Sequence, residues 1–251
     1  MRGTVLITGS TDGLGKRVAD RLEEGGTTVL RHGRSPDKLG AGGYLADLSS
    51  LDEVRRLGEE VRRDHDSIDV LVNNAGVIVP ERRTSRDGHE LTFAVNHLAG
   101  FLLTAELLPI LGRVVNVASA GQQAIDFDDP MLERGYEAYP AYAQSKLAQV
   151  MFTFDLAERG VTANALHPAT LMDTKMVREG LGRSRSTVEE GAEATQALIE
   201  RDDVSGRYFD GLEEARANAQ AYDEDARRRL WDLSQTLTMA PWPDSPHSPR
   251  S

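Results

Sequence analysis

The feature that most constrains this chain is the alternation of short, β-branched apolar runs with longer amphipathic stretches. The first run is TVLIT at 4–8, and a helical pattern at 14–24 follows it. Apolar strands separated by helices are typical of a parallel sheet covered on both faces. We therefore predict an α/β fold in a single domain, a doubly wound parallel sheet of about seven strands with helices on both faces. The strands are expected at 4–8, 27–30, 44–48, 69–76, 113–119, 161–168 and 206–211, and principal helices at 14–24, 51–64 and 141–159.

The C-terminal region adds a further predicted helix. Its apolar residues recur at spacings of three and four, which places them on one face. That face could dock on the main domain or on a second subunit, so a homo-oligomer is one interpretation. From Ala240 the chain is rich in Pro and Ser, which predicts a disordered tail at 240–251 after a domain at 1–239. The residues of the stripe are Tyr222, Ala226, Leu230, Leu233 and Leu237.

Composition argues against several classes of function. The 251 residues carry a formal net charge of -11, whereas a general nucleic-acid-binding protein needs a basic surface. There is no cysteine and no H-E-x-x-H motif, so no metal site is expected. A strand-like run begins at Thr4, which leaves no room for a signal peptide. Polar residues interrupt the apolar region 91–118, which favours a buried helix and strand over a membrane span. We expect a cytoplasmic protein that binds neither nucleic acid nor membrane.

A glycine-rich turn directly follows the first predicted strand and opens a helix. Glycine permits a tight turn and close approach of a ligand to the backbone. The free N–H groups at the start of the next helix suit a pyrophosphate. The turn TGSTDGLG therefore predicts a dinucleotide site that includes Gly9, Ser10, Thr11, Asp12, Gly13, Leu14 and Gly15.

The end of the second strand indicates which nicotinamide cofactor fits. An Asp or Glu there would hold the ribose 2′-OH of NAD. The chain instead reads RHGRS, with Gly33 in the place of the acid and Arg34 beside it. A guanidinium binds a 2′-phosphate through charge-assisted, forked hydrogen bonds. The stretch predicts that Arg34 selects NADP(H) over NAD(H), and a solvated basic turn is the alternative.

Three further residues suggest acid–base chemistry. Tyr142 and Lys146 stand four residues apart in YAQSK, so they share a helix face. A nearby ammonium favours the phenolate and would lower the pKa of the tyrosine toward a useful range. Ser119 ends a predicted strand, at the sheet edge where ligands bind in doubly wound folds. Its hydroxyl could hold a substrate oxygen while Tyr142 donates a proton. An exposed tyrosine, a solvated lysine and a capping serine are the alternatives.

Taken together, these motifs resemble the short-chain dehydrogenase/reductase family over about residues 3–211. The resemblance implies a Rossmann fold and hydride transfer between NADP(H) and a carbonyl or alcohol substrate, with Tyr142 as the general acid/base. The motifs that carry it are TGSTDGLG, ADL at 46–48, NNAG at 73–76, VNHLAG at 95–100, NVAS at 116–119 and YAQSK at 142–146.

The resemblance also implies roles for individual residues. Ser119 would position the carbonyl, Lys146 would bind the nicotinamide ribose beside Tyr142, and Asn96 would brace the helix that holds a proton-relay water. The family usually has glycine after the proline that follows strand six, whereas this chain has Ala169. Further cofactor contacts would be Asp47, Leu48, Asn74, Ala75 and Gly76 on the adenosine side, and Pro168, Thr170 and Leu171 at the nicotinamide end.

The segment between Ser119 and Tyr142 resembles that of the retinol dehydrogenase and WW-domain oxidoreductase branch. Its residues Phe127, Met131, Tyr136 and Tyr139 either roof a substrate pocket or pack as structural residues. The stretch 175–186 is interpreted as a mobile lid. The rival function is a non-catalytic NADP(H)-sensing regulatory protein on the same fold, which would not need Ser119, Tyr142 and Lys146 together.

Overall fold

The protein is described by a computed structural model over residues 3–39, 42–170, 172 and 186–243. Its strands form one eight-stranded sheet in the order β3-β2-β1-β4-β5-β6-β7-β8. The first seven strands pair in parallel, and β8 pairs antiparallel with β7. The strands are β1 (Thr4–Ile7), β2 (Thr28–Gly33), β3 (Tyr44–Leu45), β4 (Ile68–Asn73), β5 (Leu111–Val117), β6 (Thr162–His167), β7 (Arg207–Asp210) and β8 (Glu213–Glu214).

Helices cover both faces of the sheet, which confirms the predicted doubly wound α/β fold. A π-helical turn at Ala94–Leu98 interrupts one helical stretch, and 3₁₀ turns lie at Leu108–Ile110 and Ala219–Tyr222. The helices are α1 (Gly13–Glu24), α2 (Pro36–Leu39), α3 (Leu51–Asp64), α4 (Leu91–Phe93), α5 (Ala99–Leu107), α6 (Ala138–Glu158), α7 (Val188–Glu200) and α8 (Glu224–Thr238).

The strand side chains divide between two cores. Val5 and Ile7 of β1 point into the core formed with α1 and α7, whereas Leu6 points into the core formed with α3, α5 and α6. Because successive side chains of a strand point to opposite faces, a strand buried on both faces must be apolar throughout. Each fully buried Val, Leu or Ile contributes about 1.5–3 kcal/mol to folding. This is the physical basis of the continuous apolar runs in the sequence.

The apolar stretch Leu91–Ile110 is long and apolar enough to span a membrane by length and composition alone. In the fold, 78% of its most apolar window is buried. It comprises α4, the π-helical turn and α5, and β5 follows it. The predicted buried helix followed by a strand is therefore what the structure shows.

Helix α6 is the platform for the candidate site. Buried residues occur on all its sides from Ala141 to Leu156, so the sheet, α4 and α8 hold it in place. Its first turn contains Pro140, which is tolerated there because the first N–H groups of a helix have no intrahelical partner. After the helix, Gly160 adopts a φ of +84°, a conformation that suits glycine.

Helix α8 docks on α6 of its own chain. Its residues Ala226 and Leu230 are buried in a core shared with α6. Arg227, also buried, donates to Asp155 of α6 at 3.0 Å and pairs with Glu158 of the same helix. Tyr222 lies outside the helical stripe, in the preceding 3₁₀ turn, and is 43% exposed. The apolar face of α8 is thus used within the chain.

The prediction of disorder from residue 240 is wrong for its first residues. Ala240 is buried, and the ring centroid of Trp242 lies 4.9 Å from that of Trp231 and 5.3 Å from that of Phe101. Composition favoured disorder because Pro and Ser dominate the segment, but one large aromatic side chain is enough to anchor it. Residues 244–251 of the predicted tail lie outside the described part of the chain.

Candidate active site

The glycine loop lies at the carboxyl end of β1 and has the shape that the sequence predicts. Gly9 has a φ of +67°, a conformation that side chains rarely adopt. A Cβ atom on Gly15 would lie only 2.4 Å from both the Asn74 amide nitrogen and the Gly9 carbonyl oxygen. The carboxylate of Asp12 caps α1, accepting from Gly13 N–H at 2.8 Å. Only glycine fits at position 15, so α1 can begin in close contact with Asn74 and the Gly9 carbonyl.

The segment after β4 is bound to this loop. The Asn74 side chain donates to the Thr8 carbonyl at 2.8 Å and to the Gly9 carbonyl at 3.2 Å. In return, the Thr8 hydroxyl accepts from the backbone N–H groups of Asn74 and Ala75, both at 3.0 Å. Gly76 follows and is partly exposed. The structure thus brings Asn74 and Ala75 against Gly9, and their contact with a cofactor stays a prediction.

Two of the three basic side chains near the end of β2 have structural roles. Arg31 pairs with Asp20 at 2.6 Å and with Glu23 at 2.8 Å, both on α1. His32 is 2% exposed; its Nδ1 accepts from Gly9 N–H at 3.0 Å, and its Nε2 lies 3.1 Å from the Ala46 carbonyl. These partners assign the proton to Nε2. Burial lowers the pKa of His32 to about 4, so the ring is neutral at pH 7.

The third basic side chain, Arg34, is exposed and forms no ion pair within the described ranges of the chain. Burial raises the pKa of the Asp47 carboxyl, because it opposes ionisation. Hydrogen bonds from Ser49 and the positive charges of Arg34 and Arg86 act in the opposite direction and are stronger, so the pKa is lowered overall. Arg34 and Asp47 are therefore electrostatic neighbours at this edge. Leu48 lies next to them and lines a small cavity between β4 and α5.

The structure brings Ser119, Tyr142 and Lys146 together at the carboxyl end of β5. All three are buried, at 9%, 8% and 3% exposure. The Ser119 hydroxyl is near enough to Tyr142 to lower the pKa of its phenol, and it accepts from Gly121 N–H at 3.0 Å. The Lys146 Nζ atom lies 5.7 Å from the centroid of the Tyr142 ring. Burial argues against a solvated tyrosine–lysine pair, whereas the Ser119 hydroxyl does cap a local backbone N–H, that of Gly121.

The lowering of the Tyr142 pKa by Lys146 and the nicotinamide ring stays a prediction for the cofactor complex, because in the chain alone burial is the largest influence. Burial raises the pKa of Tyr142, and the neighbouring Ser119 hydroxyl offsets only part of that increase. Burial also lowers the pKa of Lys146 to about 7. The Lys146 Nζ atom donates to the Val117 carbonyl at 2.7 Å and to the Gln149 side chain at 2.8 Å. Removal from water is the largest influence on the pKa of both Tyr142 and Lys146, and the spacing of residues in the sequence does not reveal it.

Asn96 lies within the π-helical turn that precedes α5. Its carbonyl oxygen accepts from Val77 N–H at 2.7 Å, and its amide nitrogen donates to the Val77 carbonyl at 3.0 Å. The same nitrogen donates to the Ser145 hydroxyl at 2.9 Å, between Tyr142 and Lys146 on α6. π-Helical turns occur frequently at functional sites. Asn96 joins the segment after β4 to the helix that carries the tyrosine and lysine.

Two residues around Ser119 were not identified from the sequence. The Tyr208 hydroxyl on β7 donates to the Ser119 carbonyl at 3.0 Å. The Gln122 amide donates to the same carbonyl at 2.7 Å, and its oxygen accepts from Asn218 N–H at 2.9 Å. No sequence motif marks either residue. Tyr208 is 89 residues from Ser119 in the sequence, and the two meet only because β7 lies in the same sheet as β5. They fix the backbone from which the serine hydroxyl projects.

The predicted nicotinamide end is described only in part. Pro168 is buried directly after β6, and Ala169 is partly exposed. Thr170 is exposed, and its hydroxyl lies 3.2 Å from His167 Nε2. Leu171 and residues 175–185 of the predicted lid lie outside the described part of the chain.

The segment between Ser119 and Tyr142 is mostly structural. Phe127 and Met131 pack against a core cluster, and the Arg229 guanidinium lies 4.6 Å from the centroid of the Phe127 ring. The Tyr136 hydroxyl donates to the Val79 carbonyl at 2.7 Å. These contacts favour the packing interpretation for these three residues. Tyr139 differs from them, since it is 51% exposed.

These features define a class of protein, and comparison with known families identifies it. The chain matches the short chain dehydrogenase family over residues 3–183. The chain belongs to this family of oxidoreductase enzymes, whose fold binds a nicotinamide cofactor. The family identified from the sequence motifs is confirmed.

Similarity to particular proteins points to one branch. Human retinol dehydrogenase 13 is 36% identical over 283 residues, covering 93% of this chain and 84% of that protein. Human retinol dehydrogenase 14 is 33% identical, covering 93% of this chain and 85% of that protein. The crystal structure of an uncharacterised protein from Mycobacterium paratuberculosis is 30% identical, with a TM-score of 0.82, and covers 96% of this chain and 95% of that one. NADPH-bound carbonyl reductase from chicken fatty liver shares the fold, at 22% identity and a TM-score of 0.66, covering 87% of this chain and 100% of that one.

Proposed function

We propose that this protein transfers a hydride between NADP(H) and a carbonyl or alcohol substrate, with Tyr142 as the general acid/base. The observation that carries the proposal is the buried cluster of Ser119, Tyr142 and Lys146 at the carboxyl end of β5. Two neighbouring buried hydroxyls, next to an amine with a pKa of about 7, provide the groups needed to hold and move a proton.

The residues present fit a nicotinamide dinucleotide. Gly9 and Gly15 form a tight turn packed against Asn74, from which a pyrophosphate could approach the N–H groups of α1 beyond Gly13, whose own N–H is capped by Asp12. Asp47 and Leu48 would contact the adenosine portion, as would Asn74, Ala75 and Gly76. Lys146 and Tyr142 would bind the nicotinamide ribose. When bound, the cofactor supplies or accepts the hydride.

The protein's own residues account for the proton and for the placement of the substrate. The Ser119 hydroxyl donates to the substrate carbonyl oxygen and so fixes its position. Tyr142 gives its phenolic proton to that oxygen as the hydride reaches the carbonyl carbon, and an alcohol results. Asn96 braces α6 at Ser145, which keeps Tyr142 and Lys146 in register with Ser119. The reverse reaction uses the same groups, with Tyr142 accepting the proton.

The preference for NADP(H) over NAD(H) depends on Arg34. Arg31 is paired with α1 and His32 is neutral, so Arg34 is the cation at the end of β2 that is available to a 2′-phosphate. A charge-assisted hydrogen bond contributes about 1.5–3 kcal/mol. Because Arg34 is exposed, we place the effect at the lower end, about tenfold in affinity.

We further propose that the protein acts in the cytoplasm on a small molecule and binds neither nucleic acid nor membrane. The net charge of -11 supports the first exclusion, because nucleic acid repels an acidic protein. The apolar face of α8 is occupied by α6, so a homo-oligomer would have to use another surface. The names of the retinol dehydrogenase relatives place retinaldehyde among the substrates to test.

The experiment is oxidation of NADPH and NADH by the purified protein against a panel of aldehydes, ketones and quinones that includes retinaldehyde. Dissociation constants for both cofactors are measured in parallel. We expect turnover with NADPH and about tenfold weaker binding of NADH. Tight NADPH binding with no turnover across the panel would instead favour the non-catalytic regulator. Equal dissociation constants would contradict the assignment of Arg34.

A further inference from the structure

Tyr139 is a second phenol at the mouth of the candidate site. It lies in the first turn of α6, three residues before Tyr142, so the two side chains share a helix face. Tyr142 is 8% exposed and Tyr139 is 51% exposed. Tyr139 also lies close enough to act electrostatically on Tyr142. A substrate approaching Tyr142 along this face would meet Tyr139 first.

Gly121 leaves the space in which the Tyr139 hydroxyl lies. A Cβ atom on Gly121 would be 2.9 Å from the Tyr139 hydroxyl oxygen and 3.5 Å from the Ser119 hydroxyl oxygen. Both oxygens are therefore grouped around one point above the Gly121 backbone. The Gly121 N–H donates to the Ser119 hydroxyl at 3.0 Å, which fixes that oxygen beside the phenol.

The other polar groups near Ser119 are already committed. Gln122 donates to the Ser119 carbonyl and accepts from Asn218, and the Tyr208 hydroxyl donates to the same Ser119 carbonyl. Within the described residues, no hydrogen bond involves the Tyr139 hydroxyl. It is an exposed donor that remains available to a bound molecule.

We propose that Tyr139 is a substrate-orienting residue that donates a hydrogen bond to a second oxygen of the substrate. The substrate class is then a carbonyl compound with another acceptor oxygen close to the reacting one, such as a dicarbonyl compound. The reacting oxygen binds Ser119 and Tyr142, and the second oxygen binds Tyr139. This inference rests on the proposed function of the site and specifies its substrate class.

The test compares phenylpropanedione with propiophenone, which have the same carbon skeleton and differ by the second oxygen. Values of kcat/KM with NADPH are measured for the wild type and for Tyr139→Phe. Tyr136→Phe is the matched control, because it removes a phenol that binds Val79 rather than one beside Ser119. Tyr139→Phe should lower kcat/KM for phenylpropanedione about tenfold, the size of one hydrogen bond, and change that for propiophenone less than about twofold.

A second variant tests the inference without changing Tyr139 itself. Gly121→Ala retains the Tyr139 hydroxyl but pushes it from its position, and should lower the dione-to-monoketone ratio in the same direction. Equal losses on both substrates, or an unchanged ratio in Tyr139→Phe, would overturn the role of Tyr139 while leaving the proposed function intact. If the wild type binds NADPH and reduces no carbonyl compound in the wider panel, the proposed function fails, and this inference fails with it.

Discussion

The pH dependence of stability should be unusually sensitive to His32. This side chain is buried between the glycine loop and β3, where it accepts from Gly9 and lies against the Ala46 carbonyl. Replacing it by glutamine keeps an acceptor and a donor in the side chain but removes the group that takes up a proton in mild acid. The comparison therefore isolates protonation from packing better than a truncation to alanine.

The direction and size of the effect follow from the pKa of His32. In the folded protein burial lowers this pKa to about 4, from an ordinary value of 6.5. The unfolded chain therefore binds the proton more readily. The stability that His32 contributes is present above its ordinary pKa and is lost as the pH falls toward the folded value. Between about pH 7.5 and pH 5 this loss amounts to about 2 kcal/mol in the free energy of unfolding.

The assay is urea unfolding of the wild type and His32→Gln at several pH values across that window. Other groups also titrate, including His97, whose pKa burial lowers to about 3, but they are common to both proteins. The wild type should therefore lose about 2 kcal/mol more than the variant on acidification. Parallel pH profiles for the two proteins would refute the reasoning, because they would show that His32 is protonated in the fold without cost.

Three further changes have defined outcomes. Arg34→Ala should weaken NADPH binding about tenfold and leave NADH binding within about twofold, measured by titration; equal losses would contradict a phosphate contact. Arg34→Ala is a cleaner test than Gly33→Asp, because a Cβ atom at Gly33 would lie 2.5 Å from the Thr11 side chain and would disturb the glycine loop. Trp242→Ala should lower the free energy of unfolding by about 2–3 kcal/mol in urea, and an unchanged midpoint would contradict its anchoring role. Phe127→Ala should cost about 1–2 kcal/mol of stability without altering the ranking of substrates, and an altered ranking would restore its predicted role as a roof.

Much of the fold could be predicted because burial on both faces of a sheet leaves a simple signal. Each strand through β7 overlaps a predicted run, although β2 extends to Gly33 and β3 is only Tyr44–Leu45. The helix that carries Tyr142 and Lys146 begins three residues earlier than expected. Strand β8 was missed because its two glutamates are exposed at a sheet edge and have no apolar pattern. The ordered position of Trp242 was not predicted, because the prediction of disorder used the overall Pro and Ser content of the segment and gave no weight to a single aromatic residue.

Some features of the candidate site could also be predicted from the sequence, and others could not. Ser119, Tyr142 and Lys146 could be placed together, since strand ends and helix spacing follow from the sequence. The hydrogen bonds of Tyr208 and Gln122 depend on three-dimensional packing between distant segments. The pKa values of Tyr142 and Lys146 depend on burial, which opposes the charge effect that sequence spacing suggests. That the Tyr139 hydroxyl has no hydrogen bond among the described residues also depends on three-dimensional packing, which the sequence does not show.

The measurement that tests the central claim most directly is carbonyl reduction by Tyr142→Phe with NADPH. This variant keeps the ring and its packing and removes only the phenolic proton. Because general acid catalysis contributes about a hundredfold or more, turnover should fall at least that far, while the dissociation constant for NADPH changes little. A variant that binds NADPH normally and retains a large fraction of wild-type turnover would show that Tyr142 is not the proton donor.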